Sequence, residues 1–123
     1  MLTQTWLDFW NGDLAKADDI VAEQIVWHVA PLTGGPQQDH SGKANLVEWV
    51  RSSHENTPGL KFTIDVGPIE QAPFTVVRWF AEAGEFSFYG TDILRVEDGR
   101  IAEYWLNADS LWAAQQLGLV PRT

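Results

Sequence analysis

The chain has 123 residues, enough for one domain with a buried core, and residues 1–123 read as a single domain with no internal repeat. Hydrophobic residues make up 45% and charged residues 20%, a balance that argues against disorder and against a membrane protein. Eight Lys and Arg against 17 Asp and Glu give a net charge of −9, which repels phosphate backbones and anionic lipid surfaces and excludes nucleic acid as an expected partner.

No apolar run approaches the roughly 18 residues that span a bilayer. The N-terminus MLTQTWLDFW has no basic leader followed by an apolar stretch, so the expected location is the cytoplasm. Without cysteine there is no disulfide, no thiolate nucleophile and no Cys-ligated zinc. Seven Trp residues stand out, because each combines a large apolar area with one N–H donor. They fit an aromatic-lined cavity, an aromatic interface or an ordinary core.

Leu2, Trp6, Phe9 and Trp10 recur at helical spacing, and Asn11-Gly12 supplies a left-handed stop, so a first helix is predicted over residues 2 to 11. Asp13 is a good N-cap for a second helix, with Leu14, Ala17 and Val21 on one face. Residues 24 to 29 are β-branched and aromatic and suit a strand. Residues 31 to 42, PLTGGPQQDHSG, hold two prolines and three glycines and are predicted as a loop, the expected mobile flap. Residues 43 to 56 return to helical spacing and stop before Thr57-Pro58-Gly59. Four strands follow, over residues 60–66, 74–83, 85–96 and 100–106, separated by Gly67-Pro68, Gly84-Glu85 and Asp98-Gly99. Residues 111 to 117 form a short last helix with Gly118 as its C-cap. The order ααβαββββ plus a C-terminal helix implies an α+β domain with helices packed on one face of a mostly antiparallel sheet.

Several segments, in this order, resemble one family: Trp10-Asn11-Gly12-Asp13-Leu14, Val26-Trp27-His28, Gly42 opening a helix, Pro58-Gly59-Leu60, Gly90-Thr91-Asp92-Ile93-Leu94-Arg95, Asp98-Gly99-Arg100-Ile101, Trp105, Asp109 and Gln116-Leu117-Gly118. Across almost the whole chain they are similar to the SnoaL-like, polyketide cyclase-like branch of the NTF2-like superfamily. The resemblance implies a cone-shaped, strongly bent sheet wrapped around a helix, an open apolar cavity and a homodimer. It does not imply one reaction, since function sits in the site and not in the fold. The class it implies is a cofactor-free isomerase, cyclase, hydrolase or lyase working by acid–base chemistry on a small apolar or aromatic molecule. The alternatives are a non-catalytic ligand-binding protein and a dimerisation module.

Asp109 matches the position near the end of the last strand where relatives keep a catalytic carboxylate. Strand alternation places Ile101, Glu103, Trp105, Asn107 and Asp109 on one face, while Asp109 also precedes a helix and can be its N-cap. Asp109, His28 and Arg78 are therefore the candidate catalytic residues. His28 has a reference pKa near neutrality. Arg78 lies among Phe74, Val76 and Phe80 and needs a carboxylate partner, for which Asp109 and Asp92 are the candidates. Trp10, Trp27, Trp105, Asn107, His54 and Asp92 are the expected ligand-binding set. Asp92 and Arg95 have opposite strand parity, so one of them is expected at the surface. The matches to known sites are incomplete. The strand before the last carries Asp92 and Arg95 where cyclases add a His. Arg78-Trp79-Phe80 lacks the second Asp of the epoxide hydrolases. The first helix has Trp6 and Trp10 but not the Tyr of ketosteroid isomerase-like sites. His28, His40 and His54 show neither HxH nor HExxH spacing, so no metal is expected.

Overall fold

The structure is a computed structural model and describes residues 2–31 and 34–121. Helix α1 (Leu2–Trp10) leads through a 3-10 turn (Leu14–Lys16) and a one-turn helix α2 (Ala17–Ile20) into strand β1 (Val21–Val29). Strand β2 (Gln38–Ser41) and helix α3 (Lys43–Asn56) follow. The chain then runs through β3 (Lys61–Gln71), β4 (Phe74–Ala83), β5 (Phe86–Glu97) and β6 (Arg100–Ala108) to helix α4 (Ser110–Gln116). The six strands form one mixed sheet in the order β2-β1-β6-β5-β4-β3, with β1 and β6 parallel and every other neighbour antiparallel.

The amphipathic stripe of α1 decides where the core lies. Trp6, Phe9 and Trp10 pack against Ile25 and Trp27 of β1, Leu46 and Val50 of α3, and Leu94, Ile101 and Tyr104 of β5 and β6. Burying such side chains is worth roughly 1.5 to 3 kcal/mol each, so this one face fixes α1 on the sheet. Asn11 locks its end, accepting from the Phe62 N–H at 2.7 Å and donating to the Phe62 carbonyl at 3.0 Å.

The structure departs from the sequence-based expectations in four places. The second helix is shorter: Asp13 makes no side-chain cap, and Val21, expected on its face, already begins β1. Within the predicted loop, residues 38 to 41 pair with β1 as an edge strand, because an exposed edge accepts even a polar partner through its backbone groups; Leu32 and Thr33 of that loop lie outside the described residues. Gly67-Pro68 does not end β3. Gly67 takes a positive φ of 113° within a bulged stretch where a Cβ would meet the Val76 carbonyl, so only glycine lets the strand continue.

The fourth departure bears on the site. Arg95 pairs with Glu103 but Val96 with Ile101, which leaves Ala102 as an extra residue in β6. A bulge of this kind reverses the side-chain alternation. Ile101 is buried before it, and Tyr104, Leu106 and Ala108 face inward after it, while Trp105 turns to the opposite face beside Phe74 and His28.

Candidate functional site

A cavity of about 1060 Å³ opens between α1, α3 and the inner face of the sheet. Its walls are aromatic: Trp6 and Trp10 come from α1, Trp27 from β1, Trp49 from α3 and Trp79 from β4, joined by Phe62, Phe86, Phe88 and Tyr104. Five of the seven Trp residues thus line one space. Their rings brace one another, with Trp6 edge-on to Tyr104 at 5.0 Å, Trp79 edge-on to Phe62 at 5.3 Å, and Trp27 stacked on Trp49 at 6.0 Å. Gln38 and His40 of β2, Asn45, Glu48 and Ser52 of α3, and Ser110 of α4 add polar groups to the wall.

Asp92 is the one acid on the inner face of β5, between the buried Gly90 and Leu94. It is 3% exposed and lines the cavity. Three neutral donors converge on it: Trp6 Nε1–H donates to Oδ2 at 3.0 Å, and Trp79 Nε1–H and the Tyr104 hydroxyl donate to Oδ1 at 2.8 and 3.1 Å. Burial pushes the Asp92 carboxyl up to about 6, and the three donors hold it from rising further. Burial and the neighbouring Asp92 charge raise the Tyr104 hydroxyl well above its ordinary range, so it stays a donor. Gly90 completes the arrangement. The Trp79 ring lies where its Cβ would stand, so a glycine here lets that indole reach Asp92.

The three candidate catalytic residues do not converge. Asp109 stands outside the cavity at the start of α4. Its backbone N–H donates to the Tyr89 carbonyl at 2.9 Å, its carbonyl accepts the first bond of the helix, and its side chain makes no cap, accepting only at 3.4 Å from the Tyr89 N–H. Arg78 lies on the outer face, because Thr75, Val77, Trp79 and Ala81 are the buried residues of β4. It pairs with Asp65 and lies 4.2 Å over the Tyr89 ring, so its carboxylate partner is neither Asp92 nor Asp109.

His28 also faces outward. Its Nδ1 lies 2.7 Å from Asp39 and its Nε2 2.7 Å from Glu103, with Trp105 stacked on the ring at 5.4 Å. Desolvation pulls its pKa down, but the two carboxylates outweigh it and hold it above the usual value. Arg95 joins the same surface cluster through Glu97 at 2.9 Å and Glu103 at 3.1 Å, which makes Asp92 the inward and Arg95 the outward member of that strand pair.

Of the expected ligand-binding set, Trp10, Trp27 and Asp92 line the cavity, and Asn107 borders both it and a shallow outer groove. Trp105 lines only that groove. His54 donates from Nε2 to the Trp10 carbonyl at 2.6 Å and does not line the cavity. Trp6, Trp79 and Tyr104, the partners of Asp92, lie outside the expected ligand-binding set. The usable signal was the apolar alternation Gly90-Asp92-Leu94, because a lone carboxylate on a buried face requires donors from elsewhere in the core.

With this geometry in hand, the chain can be placed. Residues 3–104 match the SnoaL-like domain family, and the protein belongs to it. Among solved structures it resembles IdmH from Streptomyces antibioticus, proposed to be a polyketide cyclase, with a TM-score of 0.78 and 20% identity over 95% of this chain and 96% of that one. A protein from Agrobacterium tumefaciens, proposed to be an isomerase of the SnoaL-like family, gives a TM-score of 0.74 and 22% identity over 88% of this chain and 94% of that one. A proposed polyketide cyclase from Bacillus cereus gives 0.76 and 26% over 97% and 79%. These likenesses establish an NTF2-like α+β fold. No curated protein matches the sequence. Among the described residues, no helix is long and apolar enough to cross a membrane.

Proposed function

We propose that the cavity binds a small apolar or aromatic molecule and that Asp92 moves a proton on it, so that the protein is an acid–base catalyst of the isomerase, cyclase or lyase type. The observation that carries this reading is the Asp92 carboxyl itself, which lies on the wall of an aromatic cavity and titrates near 6. A base is most effective when its pKa lies near the working pH. A carboxylate offers about four lone-pair positions, and Asp92 uses three, with Oδ2 taking one donor where it can take two. The spare position can accept a proton from a carbon next to a carbonyl, the electron pair moving to the carbonyl oxygen. Returning the proton to another carbon completes an isomerisation. Several structural relatives carry names of this class, as proposed cyclases and isomerases, which supports the reading.

The test is solvent exchange. In deuterated buffer the protein should speed deuterium uptake at the acidic C–H of an aromatic ketone such as 2-tetralone, and Asp92→Asn should remove the acceleration while Asp109→Asn keeps it. Loss in Asp109→Asn alone would move the chemistry to the end of β6.

A second reading, a binder without catalysis, is favoured by one observation: the side chains that bond Asp92 are two indoles and a phenol, neutral donors that do not serve as a second general acid or base near neutral pH. Binding of 2-tetralone with no added exchange would select it.

A further inference from the structure

We propose that helix α4 is a lid over one end of the cavity, hinged at Asp109 and latched to β5 by the side-chain amide of Gln116, and that it opens to admit the ligand. The lid does not depend on proton transfer by Asp92. Only its use as a gate rests on the small-molecule reading above.

The latch follows from a mismatch between two strands. β5 begins at Phe86, but β6 pairs with it only as far as Gly90, opposite Ala108, so among the described residues the β6 side of residues 86 to 89 has no strand neighbour. Backbone groups on such an edge need other partners. Gln116 supplies them: its Oε1 accepts from the Ser87 N–H at 3.0 Å and its Nε2 donates to the Ser87 carbonyl at 2.7 Å, the pair of bonds that a residue of an antiparallel neighbour would make. At the other end Asp109 (φ −67°, ψ 65°) donates its N–H to the Tyr89 carbonyl at 2.9 Å and turns the chain from β6 into α4 within one residue.

Between hinge and latch the helix is lightly seated. Its buried residues are Ala113 and Ala114, whose side chains are single methyl groups, whereas Leu111 and Trp112, and Leu117 and Leu119 just past its end, are all exposed. With its larger apolar side chains at the surface, docking leans on the two bonds of Gln116. The far end is bonded within itself, the Gly118 N–H to the Gln115 carbonyl at 3.1 Å and the Leu119 N–H to the Ala114 carbonyl at 2.9 Å, so the segment can swing as a unit and keep them. Its position suits a gate, because Ser110, Ala113 and Leu117 are part of the cavity wall.

The chain has no cysteine, so one engineered thiol reports opening at a chosen place. Ala113→Cys sets it under the lid, and Ala81→Cys, equally hidden on β4, sets it in the core. Labelling by iodoacetamide at about pH 8 follows the fraction of time each site is open. The Ala113→Cys thiol should label at least about tenfold faster than the Ala81→Cys thiol. Raising urea to about 1 M, below the unfolding transition, should leave the first rate nearly constant and raise the second about fivefold or more, because a lid exposes far less surface than global unfolding. Adding Gln116→Ala should speed labelling of Ala113→Cys about tenfold or more. Equal rates that climb together with urea would overturn the lid, and no acceleration by Gln116→Ala would overturn the latch. If Ala113→Cys does not fold, Ala114→Cys, buried on the same helix, takes its place. The gate is read separately, by stopped-flow tryptophan fluorescence with 2-naphthol as the probe. Gln116→Ala should speed its association about threefold or more, since a larger open fraction admits it. An unchanged association rate in a protein whose lid opens more often would overturn the gate. Failure of 2-naphthol to bind would count against the cavity reading and the gate together, while the thiol rates still decide the lid.

Discussion

The indole N–H of Trp6 donates to Oδ2 of Asp92 across 3.0 Å, a bond between the first helix and the fifth strand. Trp79 and Tyr104 reach the same carboxyl from β4 and β6, so Asp92 ties four elements together inside the core. Its removal therefore acts on the fold as well as on the site. Asp92→Ala leaves three buried donors unpaired, at about 1 kcal/mol or more each, and should lower the unfolding free energy by roughly 3 kcal/mol or more. Asp92→Asn keeps an acceptor oxygen and should lose less. Urea denaturation of both variants checks the order.

The pH dependence of stability follows from the same group. In the unfolded chain this carboxyl ionises near 3.8, and in the folded protein at about 6. Between those values the folded state binds the extra proton, so the contribution of Asp92 to stability falls as pH rises from about 4 to 6 and stays low above that. The loss is a few kcal/mol, at about 1.4 kcal/mol per tenfold change in proton affinity. Denaturation from pH 4 to 8 should show this fall in the wild type and a flatter profile in Asp92→Asn. A wild-type profile with no such fall would mean that Asp92 ionises as easily inside as outside.

His28 acts in a later window and on another element. It joins β1 to Asp39 of the edge strand β2 and to Glu103 of β6, and its folded pKa is raised. A raised basic group stabilises fully below its unfolded value, near 6.5, and the contribution is lost as pH rises through the folded value. Amides of Gln38–Ser41 should thus lose protection against hydrogen exchange, corrected for intrinsic rate, as pH passes upward through neutrality. His28→Asn should show the low protection throughout. Since Gln38 and His40 line the cavity, ligand affinity should weaken along with it.

Gly90 is a packing test. Any Cβ at this position overlaps the Trp79 ring, so Gly90→Ala must move that indole and break its 2.8 Å bond to Asp92. The expected cost is about 2 kcal/mol or more, from overpacking plus an unpaired donor. Chemical denaturation measures it, and a shift in tryptophan emission should accompany it.

Where hydrophobic period and turn chemistry were both local, the sequence carried the answer. The stripe of α3 and its stop before Thr57-Pro58-Gly59 predict residues 43 to 56, the span observed, and β4 falls at residues 74 to 83 as expected. The family was also legible, through motifs spread along the whole chain. What could not be read depended on partners distant in sequence. The edge strand β2 exists because β1 offers it backbone groups, and the Ala102 bulge shows only in the register between β5 and β6, where Arg95 meets Glu103 and Val96 meets Ile101. That single extra residue turned Trp105 outward and Tyr104 inward. The candidate site shows the same limit: Asp92 could be noticed on its strand, but its donors come from positions 6, 79 and 104, and no spacing rule links them.

The parallel pairing of β1 with β6 has a consequence for how the chain is made. Val21 finds its sheet partner only at Ile101, and the β1–β2 pair joins the other strands through β6 alone, so these two early strands emerge from the ribosome long before the strand that ties them to the rest of the sheet. The β3 to β5 meander can assemble first, through neighbours that are adjacent in the chain. The first helix, with its apolar face of Trp and Phe, can pack early against β1, α3 and β3 but gains Ile101 and Tyr104 only when the last strand is delivered, and until then its burial is incomplete and the chain more exposed to aggregation.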